Sequence, residues 1–254
     1  MANPLVYLVL GAAGSGRREV LADLIEGGLG ASDRAAVLLA DTETAVEAEK
    51  KLGGIGRWQW IGDDAIEGDL PREATHVFFV TDGRRNPVDQ IEAFAPWLAA
   101  QGGELARVLC VVNCQLAGKN PPLRAWFDAC VHFSDVVLLN RREGVANKWM
   151  REFEEHYRKQ FLPCVFEFVK GGRVKNPALV LEPQARRMTH VFDEEKEWFV
   201  TGKDGVKRSV DELDDDEAGD SEEEVEVTPE EEPYFIRDAA KRRAKKIPDL
   251  AKFL

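Results

Sequence analysis

Residues Gly11, Gly14, Ser15, Gly16, Arg17 and Arg18 lie in one segment, Gly11-Ala12-Ala13-Gly14-Ser15-Gly16-Arg17-Arg18. Its spacing is that of the phosphate-binding pattern G-x-x-x-x-G-K-[ST]. Glycines let successive backbone N–H groups turn toward one anion, and a helix start adds partial positive charge at the same point. In the pattern a Lys reaches the terminal phosphates and a hydroxyl holds Mg²⁺; here Arg17 and Arg18 fill those two slots. A guanidinium binds phosphate, but its planar fork is larger than an ammonium, and a second Arg cannot ligate a cation. Two readings stand. The pair could hold phosphates without metal, or it could be a solvated first helical turn, which the helix dipole disfavours for cations. The glycines likewise form either an anion cradle or only a tight strand–helix turn.

Two further clusters could do chemistry. Asp82 and Gly83 follow an apolar run, Thr75–Thr81. Asp82 could position a water or a metal; otherwise it is a turn residue or a helix N-cap. Asn140 and Glu143 follow another apolar run, Val136–Leu139; their alternatives are recognition of a nucleotide base and plain loop capping. Arg84-Arg85 either extend an anion site or are exposed loop. The four histidines, His76, His132, His156 and His190, fit no metal-ligand spacing. Cys110, Cys114, Cys130 and Cys164 are too irregularly spaced for a disulfide framework and fit a reduced, cytoplasmic protein; Cys110 and Cys114, flanking Val111–Asn113, read as packing thiols, with ligands as the alternative. No Ser/His/Asp or Cys/His triad can be assembled from spacing.

These residues need elements to position them. Leu5–Leu10 is an apolar run that predicts a strand ending at Gly11, with a helix over Arg18–Ile25 stopped by Gly27-Gly28. Further strands are predicted at Ala35–Ala40, Trp58–Ile61, Thr75–Thr81, Val108–Val112, Val136–Leu139 and Val165–Val169. Helices are predicted over Thr42–Leu52, Pro87–Ala100, Pro121–Val131 and Ala146–Phe161. Short apolar runs alternating with helices indicate a three-layer α/β fold with a mostly parallel sheet covered on both faces. In such folds ligands sit at the carboxyl ends of the strands. The glycine loop, Asp82-Gly83 and Asn140–Glu143 all fall there.

At this point the chain resembles the CobW-type P-loop GTPases (the CobW/HypB/UreG-like nucleotide-binding domain), a group that includes metal-cofactor chaperones. Four segments carry the likeness, over Leu5–Val169. They are the glycine loop; Thr81-Asp82-Gly83-Arg84-Arg85-Asn86-Pro87, similar to T-S-G-x-x-D-P; Val111-Val112-Asn113, where the family has V-V-D; and Ser134–Glu143, similar to the guanine-reading A-D-[VI]-[VIL]-[VIL]-L-N-K-x-D. The resemblance implies a P-loop nucleotide-binding protein. It assigns Gly11, Gly14, Ser15, Gly16, Arg17 and Arg18 to the phosphates, Asp82 and Gly83 to the γ-phosphate side, and Asn140 with Glu143 to the base. The implied cofactor is GTP or another nucleotide, with Mg²⁺ left open. The departures are Arg17 for Lys, Arg18 for the hydroxyl, Val80 where an acid is expected, Arg141 for Lys and Glu143 for Asp. The family's C-x-C-C metal segment is absent, since no Cys precedes Cys110. The motif departures imply weak or lost hydrolysis, and the missing cysteines count against a third reading, a metal chaperone.

The rest of the chain is organised by charge. The 254 residues carry a net charge of −12, yet fourteen acids and no Lys or Arg lie between Asp211 and Glu232, leaving the remainder at about +2. The expected organisation is a P-loop domain over 1–170, an extension packed on it over 171–210, a disordered acidic linker over 211–233 and a basic C-terminal helix over 234–254. A strand pair is expected within His190–Val210, turning at Asp204-Gly205. The alternative function is a pseudo-NTPase scaffold acting through this tail. The basic end carries about +5; with acid beside it that would repel phosphate, a protein partner is expected rather than nucleic acid. The start, MANPLVYLVLG, has no basic n-region and too short an apolar run to span a bilayer, so neither signal nor membrane anchor is expected.

Overall fold

The computed structural model describes residues 3–193, 198–201, 207–209, 226–229 and 231–254. It divides into two compact units, Met1–Met188 with Lys246–Leu254, and Thr189–Lys245.

The first unit is built on an eight-stranded sheet: β1 (Leu5–Leu10), β2 (Ala35–Ala40), β3 (Gly54–Ile61), β4 (Ala65–Glu67), β5 (His76–Val80), β6 (Glu104–Asn113), β7 (Val136–Asn140) and β8 (Val165–Phe168). The order is β4-β3-β2-β5-β1-β6-β7-β8. Every pairing is parallel except β3 with the edge strand β4. The helices are α1 (Arg17–Gly28), α2 (Pro87–Gln101), α3 (Cys114–Lys119), α4 (Arg124–His132), α5 (Asn147–Arg158) and α6 (Pro177–Leu181). This is the expected three-layer α/β fold.

The two sheet faces follow from strand alternation. On one, Tyr7, Val9, Val37, Leu39, Phe78, Val80, Leu109 and Val111 bury against Val20, Leu21 and Leu24 of α1 and Val180 and Leu181 of α6. On the other, Phe79 packs on Phe94 and Trp97 of α2, with ring centroids 4.9 Å apart in both pairs. Further along that face Phe127 of α4 meets Phe153 of α5, and Tyr157 stacks on Phe166 at 5.8 Å. Gly171–Arg187 runs back along the sheet rather than forming a separate domain. Tyr7 donates from its hydroxyl to Leu181 O at 2.6 Å, Arg107 donates to the carbonyls of Leu179, Val180 and Gln184, and the buried Asp135 carboxylate takes Arg187.

Several expectations are corrected. Thr42–Leu52 forms no α-helix; only a 3₁₀ turn at Glu47–Lys51 survives. The carbonyls that a helix would use are drawn elsewhere: Arg57 donates to Glu43 O, and Arg18 to Thr44 O. β3 begins earlier than expected and pairs with β4, which lacks an apolar run. The helix over Pro121–Val131 begins as a 3₁₀ turn at Pro121–Leu123, and α3 ahead of it was not expected.

In the second unit β9 (Trp198–Thr201) pairs antiparallel with both β10 (Lys207–Ser209) and β11 (Glu226–Pro229). The expected strand pair is present; its Asp204-Gly205 turn lies outside the described residues. So does the acidic run expected to be disordered, apart from 226–229, which form β11, and 231–233. The expected basic helix over 234–254 is not formed. The Asp238 carboxylate accepts from the N–H groups of Ala240 and Arg242, both at 2.9 Å, and Arg237 bridges Arg243. A local side-chain cap thus closes a turn in place of a helix. Within the unit Lys245 lies 4.0 Å from the Tyr234 ring centre. No described helix is long and apolar enough to cross a membrane.

Candidate functional site

The loops following β1, β2, β5, β6 and β7 meet at one end of the parallel sheet, where α/β folds place their ligands. The loop after β1 is fixed by its neighbours. Asn140, buried at the end of β7, donates from Nδ2 to Ser15 O at 2.8 Å. Asn113, at the end of β6, donates to Gly14 O at 3.4 Å and caps α3 through Leu116 N–H. The Ala13 N–H donates to Gly83 O at 2.7 Å. Gly16 has φ 85°, and a Cβ there would come within 2.5 Å of Asn140 Nδ2. Among the described residues no acceptor takes the N–H groups of Gly14, Gly16, Arg17 or Arg18. The hydroxyl of Ser15 is wholly buried with no partner. It lies 3.1 Å from the point where a Gly11 side chain would begin, inside the loop.

Arg17 and Arg18 are not solvated. Arg17 is 5% exposed, and its guanidinium donates to Thr81 O and to Glu43 Oε1. Arg18 donates to Glu43 Oε2 at 2.9 Å, to Thr44 O at 2.6 Å and to Glu49. The Gly83 N–H adds a donor to Glu43 Oε1 at 3.3 Å. The carboxylate of Glu43, 7% exposed, therefore receives two guanidiniums and a backbone N–H. Burial pushes its acidity toward the neutral form, but Arg17, Arg18 and Gly83 N–H together outweigh burial and hold it below the usual carboxylate range. Burial lowers the pKa of Arg17, opposed by Glu43; an arginine stays cationic under these conditions.

Asp82 is committed as a turn residue. Its Oδ1 accepts from Arg84 N–H at 2.9 Å and its Oδ2 from the Thr42 hydroxyl at 3.1 Å. Its own N–H donates to Gln90 Oε1 at 2.6 Å. The N-cap of α2 is Asn86, which accepts from Val88 N–H, with Pro87 in the first turn. Arg84 is exposed, while Arg85 lies 4.5 Å over the Trp60 ring. Glu143 is exposed, and its backbone carbonyl takes Gln115. Arg141, with φ 51°, pairs with Glu19 at 3.0 Å.

The structure thus brings Gly11, Gly14, Ser15, Gly16, Arg17, Arg18, Asp82, Gly83 and Asn140 into one region and leaves Glu143 at its rim. Sequence reasoning missed Glu43, Glu49, Thr42 and Gln90. The two arginines at a helix N-terminus were the signal that carboxylates must come near, because the dipole opposes them there. Among the described residues no three or more His, Cys, Asp and Glu cluster as metal ligands. All four cysteines are free and buried; burial pushes Cys114 and Cys164 up to about 12.

No protein-family profile and no curated sequence matches the chain. Solved structures with a similar arrangement include Zn(II)-bound YjiA GTPase from E. coli, at 16% identity and TM-score 0.41, covering 78% of this chain and 70% of that one. Hydrogenase maturation factor HypB from Archaeoglobus fulgidus has 12% identity and TM-score 0.44, covering 65% and 81%. Signal recognition particle receptor FtsY from Elizabethkingia anophelis, in complex with GDP, has 16% identity and TM-score 0.47, covering 77% and 66%. At these identities the likeness is one of arrangement alone, a mostly parallel α/β sheet.

Proposed function

We propose that the chain is a divergent CobW-type P-loop protein that binds a nucleotide and hydrolyses it weakly or not at all. The observation that carries this reading is the unpartnered, buried Ser15 hydroxyl inside a loop whose Gly14, Gly16, Arg17 and Arg18 N–H groups are also untaken. A buried hydroxyl is rarely left unpaired, and beside it the free N–H groups of a helix start are the donors a phosphate takes. Asn140 holds the loop through Ser15 O, and Glu143 at the rim is free to meet a base. Magnesium does not fit in the same way. Arg18 stands in the slot of the metal-binding hydroxyl and is tied to Glu43, Glu49 and Thr44 O.

A thermal-shift titration with GTP, GDP, ATP and ADP, with and without Mg²⁺, tests this. A ligand bound only by the folded chain adds about 2.7 kcal/mol of stability at a hundred times its Kd. A guanine-selective shift without phosphate release meets the expectation; robust Mg²⁺-dependent turnover overturns its second half.

A second reading is a pseudo-NTPase scaffold working through the charged C-terminal region and a protein partner. The internal pairing of Arg17 and Arg18 favours it, because the loop is held together without any ligand. The absence of any nucleotide shift at millimolar concentration would select it.

A further inference from the structure

The β2–β3 connection brings one carboxylate to the mouth of the glycine loop. In P-loop chemistry the residue in the Arg17 slot reaches the outer phosphates, and the residue after it serves the metal between them. Here the groups in both slots converge on Glu43, Arg17 on Oε1 and Arg18 on Oε2, and the Gly83 N–H joins them. Two cations and a backbone N–H around two oxygens are the donor set of an oxyanion site. Glu43 is 7% exposed, so the anion it supplies is held in place rather than sampled. The N–H groups of Gly14, Gly16, Arg17 and Arg18 and the Ser15 hydroxyl belong to the glycine loop itself and are untaken among the described residues.

We propose that Glu43 occupies the place of the terminal phosphate of a nucleoside triphosphate, so that the loop takes a nucleotide ending in a diphosphate in preference to a triphosphate, without Mg²⁺. This rests on the nucleotide-binding reading above. Two anions brought within a few ångströms in a half-dry site repel strongly. A third phosphate must therefore displace Glu43 and strip a buried arginine of its partner, which is costly in itself. A diphosphate leaves the Arg17–Glu43–Arg18 arrangement intact. The arginines already carry the positive charge that a metal would bring.

Calorimetric titration of the full chain with GDP, GTP, ADP and ATP, each in Mg²⁺ and in EDTA, tests the proposal. The diphosphate of one base is expected to bind at least ten-fold tighter than its triphosphate, with EDTA changing this by less than two-fold. Glu43→Gln, which keeps the shape and removes the charge, is expected to bring the ratio close to one by strengthening the triphosphate. Glu43→Asp, which keeps the charge, is expected to retain the preference for the diphosphate. Equal or tighter triphosphate binding by the unaltered chain overturns the proposal and leaves the nucleotide-binding reading standing. So does an unchanged ratio in a folded Glu43→Gln protein. No binding of any nucleotide by either protein overturns the nucleotide-binding reading itself. The ratio measured on the unaltered chain is decisive even if the variants fail to fold.

Discussion

The Arg17 guanidinium and the Glu43 carboxylate form an ion pair that is almost closed to solvent, joining the first turn of α1 to the loop after β2. Removing one member of such a pair leaves the other buried and uncompensated, which costs about 3–5 kcal/mol. Arg17→Met is expected at the lower end of that range: Glu43 keeps Arg18 and the Gly83 N–H, while Thr81 O loses its donor. Urea denaturation with an unchanged m-value measures it. The double variant Arg17→Met/Glu43→Leu is expected to lose less than the sum of the two single changes, since neighbours in one network do not add. Strict additivity would mean that the pair contributes nothing jointly.

Glu43 also sets an acid limit. Its folded-state pKa lies below that of an unfolded glutamate. Its contribution is therefore fully present above the unfolded value, about 4.3, and is lost as pH falls through the folded value. The melting temperature of the unaltered chain is expected to drop steeply through that acidic window. In Glu43→Gln the drop is expected to be shallower, with little difference in slope between the two proteins from pH 6 to 8. Parallel curves throughout the acid range would exclude Glu43 as the source.

Asn140 supports the loop from a neighbouring strand, through a single bond from Nδ2 to Ser15 O at 2.8 Å. Asn140→Ala leaves that buried carbonyl without a donor, a loss of about 1–3 kcal/mol. Asn140→Asp is expected to be worse than alanine, since a carboxylate cannot donate to Ser15 O. An effect below about half a kcal/mol for both variants, under the usual range for a lost buried bond, would show that the bond is dispensable.

The centre of the parallel sheet could be read from apolar runs because β1, β2, β5, β6 and β7 are buried on both faces. β4, Ala65–Glu67, could not, because it is a three-residue edge strand with little to bury. The stretch Thr42–Leu52 misled for a different reason. Its Ala, Glu and Lys content favours helix, but its carbonyls at Glu43 and Thr44 and its carboxylates at Glu43 and Glu49 are recruited by Arg18 and Arg57 from distant positions. Tertiary hydrogen bonds of this kind override local propensity and leave no periodic trace. The site divides in the same way. The glycine spacing announced the loop, and the two arginines announced an anion, but whether that anion came from solution or from the chain depended on Glu43, twenty-six residues beyond Arg17.

The cysteines give a prediction independent of the loop. Cys110, Cys114, Cys130 and Cys164 are all buried, and burial raises Cys114, Cys130 and Cys164 well above an ordinary thiol. The thiolate is the reactive form, so a colorimetric disulfide reagent at pH 8 is expected to label none of the four rapidly in the native chain and all four in guanidinium. A fast native reaction with one thiol would place that cysteine at a breathing surface.

Two glycines separate space from conformation. At Gly83 a Cβ would lie 2.5 Å from the Ala13 N and 2.3 Å from Arg17 Nη2, while its backbone is outside the left-handed region. At Gly102, the C-cap of α2, φ is 61° and a Cβ would meet nothing within 4 Å. Gly102→Ala therefore meets only backbone strain, about 1 kcal/mol. Gly83→Ala must push the loop after β5 away from the glycine loop, breaking the bond from Ala13 N–H to Gly83 O and loosening the one from Gly83 N–H to Glu43. It is expected to destabilise by roughly 2–3 kcal/mol, within the range for overpacking a tight contact, and to weaken any nucleotide binding besides. Gly102→Ala is expected to leave binding unchanged. If the two alanines cost the same and neither alters binding, the contact between Gly83 and Ala13 does not control the site.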